Sequence, residues 1–448
     1  MRLLERRGFL TGFATLVLFT ALAGDAWRNS ISWYGFGTLV ALLAAVSVAV
    51  LVPHRASLRP GSLPWPLVGF LALAMVSIAW SFYPGASAIG VFAQVITTLV
   101  AVAIALLLTG DELLRALGWA LRTILVLSLV FELAVSLVVR APVLPVWVAA
   151  ADRVNPPLML YWSRNLLLEG DRIQGIVGNS GLLGMIALIA LIVFGVQLVA
   201  GTVRRLPGIL WLVLAAASLV LTRSATITAA LVAVLLVLGM ILALRRAASP
   251  RARLAVYGGI GVVLAGVAGS VLAFRPLLLD LLGKSDDLTG RLGIWDAVTG
   301  LAAQRPVFGW GWVSFWAPWV APFDDLVTRN GVIQLHAHNA WLDVWLQLGV
   351  VGLLVFGALV VTTAIRSWLL ATDRVVTGQG DRGSFSSLSL LPPLLLTALL
   401  VQSLAESRIL VEGGWVLLVI LAVTTKLGVL GRLRRTPANG RTGAARAA

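Results

Sequence analysis

Two of the three histidines in the chain lie close together in the sequence His336-Ala-His338-Asn339. A long apolar run follows at once, so these imidazoles are predicted to lie where the chain enters a hydrophobic segment. A neutral imidazole can accept a proton from a hydroxyl group, which is the task of a general base. His338 is therefore the first candidate for a catalytic residue; a pH-sensitive hinge or a satisfied polar contact is the alternative for the pair.

A group of guanidinium and aromatic residues precedes the histidines. The segment Thr289-Gly-Arg291-Leu-Gly-Ile-Trp295-Asp296 has apolar residues at helical spacing, which predicts a short amphipathic helix with Arg291 and Trp295 on one face. The segment Pro306-Val-Phe-Gly309-Trp-Gly311 follows, and its glycines permit a tight turn near a ligand or another backbone. Arginines bind diphosphates through paired hydrogen bonds, and tryptophans pack on sugars or anchor proteins at membrane interfaces. With an imidazole beside them, these residues suit a phosphorylated, sugar-bearing lipid.

A metal centre on the same residues is not favoured by the sequence. His336, His338 and Asp343 offer three ligands, but no third histidine is close and the spacing matches no metal-binding pattern. The chain contains no cysteine, which excludes thiolate metal sites, iron–sulfur clusters, disulfides and cysteine nucleophiles. The sequence therefore predicts chemistry with no metal and no cofactor.

The composition predicts that these residues are positioned by membrane helices. Hydrophobic residues make up 59% of the 448 positions and charged residues 12%, whereas a soluble domain carries about 25% charged residues. The apolar residues form runs of about twenty, long enough for a helix to cross a hydrocarbon core of about 30 Å. The predicted fold class is an all-α polytopic integral membrane protein with about twelve transmembrane helices. The predicted spans are residues 9–23, 33–52, 64–80, 88–108, 117–139, 176–200, 206–222, 225–244, 254–274, 340–365, 388–404 and 413–430.

The distribution of basic residues predicts the orientation. The net charge of +15 is spread over short loops rather than gathered on one face, which argues against a nucleic-acid partner. If the N-terminus is cytoplasmic, alternate loops hold most of the arginines, as the positive-inside rule requires. The residues predicted to face the cytoplasm are Arg55, Arg59, Arg204, Arg205, Arg245, Arg246, Arg251, Arg253, Arg366, Arg374 and Arg382. Both termini are predicted to be cytoplasmic, with residues 1–8 as part of a signal anchor and residues 431–448 as a disordered basic tail.

The chain divides into a bundle and two long outer loops. Residues 1–274 are predicted to form an N-terminal bundle of about nine spans, with an outer loop near 139–175. A larger extracytoplasmic loop, residues 275–337, lies between helices 9 and 10 and carries the short amphipathic helix. Residues 338–430 are the C-terminal spans that begin with the His-Asn pair. Because loops of this length between spans are uncommon without a task, the working surface is predicted to lie on these two loops.

Two charged residues fall inside a predicted span, where ionisable groups are functional candidates by default. Glu132 is predicted to face the site or to pair with an arginine. Arg122 is predicted to extend toward the cytoplasm along the apolar surface. Neither is assigned a role in the chemistry.

The order of residues between 289 and 354 resembles the family of O-antigen ligases and Wzy-type polymerases, which build bacterial envelope glycans. The matching residues are Arg291 and Trp295, then Pro306, Gly309 and Gly311, then His338, Asn339, Leu342 and Asp343, then Gly349 and Gly352. Weaker similarity lies upstream, at Arg172-Ile-Gln-Gly175 and at the tip Thr222-Arg223-Ser224. The chain departs from the family pattern at Gln347, where an acidic residue is usual.

The resemblance implies a metal-independent glycosyltransferase in the bacterial cytoplasmic membrane, with its active site outside. It implies transfer of a glycan from an undecaprenyl-diphosphate carrier to a glycan, lipid or protein hydroxyl. Under this hypothesis His338 is the general base, and Arg291 and Arg223, with Arg172 as a third, bind the diphosphate. The supporting residues are Asn339, Asp343, Trp295, Gly309 and Gly311.

Three alternatives remain open at the level of sequence. Polymerase and ligase differ in their acceptor, and an Ala-, Gly- and Arg-rich composition favours a polymerase only slightly. A transporter or flippase for lipid-linked glycans would have a similar number of spans but should show internal symmetry, broken helices and short outer loops. A glycan-binding scaffold would keep the tryptophans and arginines without needing His338.

Overall fold

The computed structural model of the chain describes residues 6–53, 60–149, 153–273, 286–329, 331–374 and 385–435. Most of these residues form helices, and one short antiparallel hairpin is made of β1 (Thr328–Arg329) and β2 (Val332–Ile333). The α-helices, in chain order, are α1 (Arg7–Leu22), α2 (Gly24–Leu51), α3 (Trp65–Val76), α4 (Pro84–Leu107), α5 (Gly110–Ala134), α6 (Ser180–Val199), α7 (Arg205–Thr222), α8 (Ala225–Arg246), α9 (Pro250–Ala273), α10 (Asp286–Ala302), α11 (Ala340–Thr372), α12 (Leu391–Ser403) and α13 (Glu412–Arg435).

The helices agree with the predicted fold class. Within the described residues, eight are long and apolar enough to cross a membrane, namely α2, α4, α5, α6, α7, α8, α11 and α13. The apolar helices α1, α3 and α12 are shorter, and a turn of 3₁₀ helix, Ser77–Trp80, extends α3. The chain is therefore a polytopic α-helical membrane protein. Twelve as the number of spans stays a prediction, although a helix coincides with each of the twelve predicted segments.

Local capping sets helix boundaries that hydropathy misplaced. Thr109 and Glu112 form a capping box, so α5 begins at Gly110 rather than at 117. Asn179 accepts a hydrogen bond from the backbone N–H of Leu182, so α6 begins at Ser180 rather than at 176. The predicted disordered tail is wrong for its first residues, because α13 continues to Arg435. Residues 436–448 lie outside the described residues.

Helix ends that are distant in sequence meet at one end of the bundle, which we call the site face. This face comprises residues 22–29, 77–84, 139–149, 153–178, 221–225, 286–329, 331–340 and 403–412. Three contacts join its parts: Trp341 Nε1 donates to Ser403 Oγ (3.1 Å), Trp80 Nε1 to the carbonyl of Phe308 (3.2 Å), and the Ile173 N–H to the carbonyl of Leu221 (3.2 Å). At the opposite face, Arg7 binds the carbonyl of Leu107 and Arg245 binds that of Ala371. Successive helices thus alternate in direction, as the distribution of basic residues predicted.

Residues 286–329 and 331–339, which precede α11, fold into a unit on the site face. Helix α10 packs against the start of α11. A second apolar core, separate from the core of the bundle, includes Ile294, Val298, Trp316, Phe323 and Leu346. The predicted amphipathic helix is present and ends at Ala302; the hairpin was not predicted. Burial of these apolar side chains fixes Arg291 and Trp295 relative to α11.

Helix α11 is broken at Gly349, whose φ is 66°. The backbone groups released by the break are satisfied by the preceding turn. The N–H groups of Trp310 and Gly311 donate to the carbonyls of Leu346 and Gln347, at 3.0 and 2.9 Å, and the N–H of Val350 donates to the carbonyl of Pro306 at 2.8 Å. A break in a membrane helix is tolerated when protein groups replace the lost helical hydrogen bonds. The turn and the broken helix therefore form one backbone unit directly below the histidines.

The two charged residues predicted inside a span are both buried. Glu132 accepts hydrogen bonds from Ser163 Oγ (2.8 Å) and from the N–H groups of Gln174 (2.9 Å) and Gly175 (2.7 Å), so it fastens the first long loop to α5. Arg122 reaches back along α5 toward the end that begins at Gly110, where Gln197 also binds the carbonyl of Leu114. It donates to Gln197 and lies over the rings of Trp119, Phe194 and Trp211.

Candidate active site

The imidazole of His338 occupies the centre of the site face, in the short connection that leads into α11. Its backbone is left-handed, with φ of 49°. Its Nδ1 lies 3.1 Å from Glu406 Oε2, and its Nε2 lies 3.1 Å from Gln334 Oε1. The side chain is 18% exposed, so it is accessible to a ligand from the site face. Two contacts on opposite edges of the ring fix its orientation.

Glu406 connects the imidazole to a guanidinium. This residue lies between α12 and α13, and its other carboxylate oxygen, Oε1, accepts a hydrogen bond of 2.9 Å from Arg291. Burial alone would raise the pKa of Glu406, but the charge and hydrogen bond of His338, with His336 and Arg291, lower it below its ordinary value. The carboxylate is therefore ionised at neutral pH and holds His338 and Arg291 on its two oxygens.

His336 lies beside His338, with the two rings tilted by 50°, and it has no hydrogen bond to Glu406 among the described residues. The two ring centroids are 4.1 Å apart, and His336 Nδ1 accepts a hydrogen bond of 3.1 Å from the backbone N–H of His338. Burial, and next the neighbouring His338, hold the pKa of His336 well below its ordinary value. His336 is thus neutral near pH 7 and holds the left-handed backbone of His338 in place.

The supporting residues Asp343, Trp295 and Asn339 fix the histidine segment from three sides. Asp343 is buried and accepts hydrogen bonds from Trp316 Nε1 (2.8 Å), from the Ala337 N–H (3.0 Å) and from Ser407 Oγ. Trp295 Nε1 donates to the carbonyl of Ala337 at 3.0 Å. Asn339 is the N-cap of α11, accepting from the N–H groups of Trp341 (3.0 Å) and Leu342 (3.2 Å). Asp343 therefore acts as a scaffold rather than a metal ligand; the carboxylate beside the two histidines is Glu406.

The glycine turn supports the site from below. Gly309 has φ of 68°, and a Cβ there would lie 2.5 Å from the backbone carbon of Gln347. Gly311 has φ of 111°, and a Cβ there would lie 2.5 Å from Ser81 Oγ. Gln347, to which the sequence assigned no role, is fully buried and accepts hydrogen bonds from the N–H groups of Val313 (2.8 Å) and Ser314 (3.0 Å). An amide does this better than a carboxylate would, because it also donates to the carbonyl of Ser314.

Arg172 and Arg223 lie on two chain segments whose backbones are joined by a hydrogen bond. The N–H of Ile173 donates to the carbonyl of Leu221, and Arg223 Nη2 approaches Gly170. Arg223 is exposed, at the left-handed end of α7. No hydrogen bond joins Arg223 to His338 within the residues that the structure describes. Both belong to the site face, however, and α12, which leads to Glu406, packs against α8, which begins just after Arg223.

An ion-pair network borders the histidines on the side of α1 and α2. Arg408 binds Glu412 (2.9 Å), and Arg28 binds both Glu412 and Asp25. Arg408 also lies 5.7 Å from the ring of Phe315, whose neighbour is His336. Two arginines and two carboxylates neutralise each other here. The network fixes the loop that carries Glu406 against the start of α13.

The sequence missed the carboxylate at the centre of the site. Glu406 is a single acidic residue in a short connection and belongs to no motif, so only the packing of α12 beside α11 reveals its partner. Gln334 was missed for the same reason. Position alone gave no signal either, because most of the 19 acidic residues in the chain lie in loops predicted to be outside.

Comparison with known families finds a match over part of the chain. Residues 210–357 match the model of the family described as O-antigen ligase. The matched range contains Arg223, Arg291 and His338, and it also contains the glycine turn and the break in α11. Arg172 and Glu406 lie outside it. No curated protein matches the chain. The predicted resemblance to the O-antigen ligase family is thereby confirmed.

Proposed function

From the match to this family model and the geometry of the site, we propose that the chain transfers a glycan from an undecaprenyl-diphosphate carrier to a hydroxyl acceptor outside the bacterial cytoplasmic membrane. A glycosyl-transferring role in a membrane is what the family match supports. The observation that carries the finer proposal is the unit His338–Glu406–Arg291, in which one carboxylate binds an imidazole at 3.1 Å and a guanidinium at 2.9 Å.

His338 acts as the general base toward the acceptor hydroxyl. Glu406 keeps the proton on Nδ1, which leaves Nε2 as the basic nitrogen. In the structure the Nε2 atom faces Gln334 Oε1 at 3.1 Å, and this is the position that an acceptor oxygen takes when it displaces the Gln334 side chain. Two hydrogen bonds hold the histidine segment in place during this exchange: the His338 N–H donates to His336 Nδ1, and the Ala337 N–H donates to Asp343.

The reaction balances without a further reactant. The acceptor oxygen forms a bond to the anomeric carbon of the donor, while the bond from that carbon to the diphosphate oxygen breaks. The electron pair leaves with the lipid diphosphate, and the hydroxyl proton passes to His338 Nε2. A diphosphate is a good leaving group, so positioning and charge stabilisation carry most of the barrier. This chemistry needs neither a nucleotide nor Mg²⁺.

Arg291 is the first candidate for binding the leaving diphosphate. Its side chain is 14% exposed and uses one N–H toward Glu406, so further donors of the guanidinium remain for phosphate oxygens. Arg223, with Arg172 beside it, is proposed as the second clamp from the neighbouring helix end. Guanidinium groups from different parts of the chain can bridge the two phosphates, as bidentate recognition requires.

The position of the unit at the helix ends suits a lipid-linked donor. The polyprenyl chain can remain in the hydrocarbon region while the diphosphate reaches the site face. With the basic loops facing the cytoplasm, this face is proposed to lie outside, and both termini inside. The acceptor is a glycan, lipid or protein hydroxyl. A flippase is not favoured, because the ionisable residues gather at a face of the bundle rather than near the bilayer midplane.

Transfer by purified protein in liposomes tests the proposal. The liposomes contain undecaprenyl-diphosphate oligosaccharide and a glycan acceptor, with no nucleotide and no added divalent cation. The expected result is chain lengthening or acceptor glycosylation together with release of undecaprenyl diphosphate. Movement of the donor across the bilayer without formation of a glycosidic bond would instead identify a flippase.

A further inference from the structure

Three potential metal ligands converge at the base itself. We propose that His336, His338 and Glu406 bind a divalent transition-metal ion of the zinc type, and that this ion reversibly blocks transfer. One ligand atom from each of the three residues lies within 4.8 Å of the others. The blocking effect rests on the proposed function, whereas the binding itself does not.

The spacing fits zinc. Zinc binds nitrogen and oxygen ligands at about 2.0–2.2 Å in a tetrahedral arrangement, which places two such ligands about 3.3 Å apart. His338 Nδ1 and Glu406 Oε2 are 3.1 Å apart. An ion between these atoms therefore needs only a small movement of either side chain, with His336 as the third ligand and water as the fourth.

The contacts of the His338 ring suit a metal ion on Nδ1. Nδ1 faces a carboxylate oxygen and Nε2 faces the amide oxygen of Gln334, so both ring nitrogens meet acceptors. A metal ion on Nδ1 with the proton on Nε2 satisfies both contacts. In the metal-bound form Gln334 is the outer acceptor that fixes the tautomer, which is the usual partner arrangement of metal-bound histidines.

The surroundings predict reversible rather than permanent binding. Ligation by His336 through Nδ1 replaces the hydrogen bond that this atom accepts from the His338 N–H. Arg291 already binds Glu406 Oε1, and its charge opposes a second cation nearby. The other carboxylate oxygen of Glu406, Oε2, faces His338 and remains available as a ligand. The site therefore suits an ion that competes with the proton at His338.

Occupation would stop the proposed reaction. With a metal ion on Nδ1 and a proton on Nε2, neither ring nitrogen can accept the proton of the acceptor hydroxyl. Glu406 would also be held by the ion. Zinc should therefore lower the rate of transfer without displacing the donor from the arginines.

Calorimetric titration with Zn²⁺ tests the binding. The sample is the purified full chain in detergent, without the glycan donor. We expect one strong site, a shift of at least tenfold to weaker binding in His336→Ala and in His336→Asn, and no shift in His54→Ala, which removes the third histidine. Asn at 336 can still accept the N–H of His338, so it separates loss of the ligand from loss of local structure. Zinc binding that is absent, or that is equal in wild type and both His336 variants, would overturn the proposal.

Transfer assays with and without Zn²⁺ test the block. With each protein compared with its own rate in the absence of Zn²⁺, we expect His336→Asn to need at least tenfold more Zn²⁺ for half inhibition than wild type. Removal of Zn²⁺ by a chelator should restore the wild-type rate. Binding at the site with no effect on transfer would contradict the block. Because the titration needs no donor, its outcome stands even if the chain proves not to be a transferase.

Discussion

The Nδ1 atom of His338 lies 3.1 Å from the Oε2 atom of Glu406, although the two residues are 68 positions apart in the chain. The start of α11 supplies the histidine, and the connection after α12 supplies the glutamate. The same carboxylate binds Arg291 from α10. Three separate segments thus bring together an imidazole, an ionised carboxylate and a guanidinium.

Replacement of the base should abolish turnover. His338→Ala removes the group that accepts the hydroxyl proton, and general-base catalysis contributes roughly 10²–10⁴-fold to a rate. Donor binding should change by less than about threefold, because the diphosphate is bound by arginines. Single-turnover transfer and equilibrium binding of a fluorescent donor measure the two effects. Wild-type turnover in this variant would remove the catalytic assignment.

Replacement of Glu406 should slow the reaction without unfolding the protein. Glu406→Gln keeps the size of the side chain but removes the charge that holds the proton on His338 Nδ1, so we expect kcat to fall by roughly 10–100-fold. The effect should be on kcat far more than on KM. Glu169→Gln, an exposed acidic residue of the first long loop, is the control and should leave both unchanged. Equal losses in the two variants would argue against a specific role for Glu406.

Replacement of Arg291 should weaken donor binding. Arg291→Ala removes a guanidinium that faces the proposed diphosphate position, which should cost at least about tenfold in donor affinity, since charged hydrogen bonds contribute about 1.5–3 kcal/mol. Arg291→Lys should recover only part of the lost donor affinity, because an ammonium group lacks the planar pair of N–H donors that binds two phosphate oxygens at once. Arg153→Ala is the matched control. Arg153 is exposed and donates to the carbonyl of Val148 in its own loop. Unchanged donor affinity in Arg291→Ala would contradict the clamp.

The glycine break in α11 should be indispensable for stability. Gly349→Ala adds a Cβ against the carbonyl of Val307 at a residue whose φ is 66°, so the turn and the helix must separate. A left-handed non-glycine residue alone costs about 1–3 kcal/mol, and the clash adds to it. Gly357→Ala on the same helix meets no atom within 4 Å and should be neutral or slightly stabilising. Thermal unfolding in detergent compares them, and a Gly349→Ala transition equal to that of wild type would show that the break is not needed.

Hydropathy predicted the helices well because a span must satisfy its own backbone groups in lipid, which ties composition closely to structure. It failed at boundaries such as Gly110 and Ser180, where a single cap decides the first turn. The break at Gly349 was not foreseen as a break, since its partners come from the turn at Pro306. Such pairing depends on tertiary contacts that no local pattern records.

The candidate site was predictable where its residues belong to an ordered motif, as His338 and Arg291 do. Asp343 was proposed only as an orienting group, and the structure gives it three donors and full burial. Glu406 was not predictable, because an isolated glutamate in a short loop has many equivalent explanations. Its role follows from distance alone, which is why it becomes visible only when α12 is placed beside α11.

A double-mutant cycle on His338 and Glu406 tests the central claim most directly. The rate of glycan transfer in liposomes is measured for wild type, for His338→Ala, for Glu406→Gln and for the double variant. If the carboxylate acts through the imidazole, the double variant should be no slower than His338→Ala alone. If the two losses multiply instead, Glu406 acts independently of His338, and the unit proposed here does not exist as a catalytic unit.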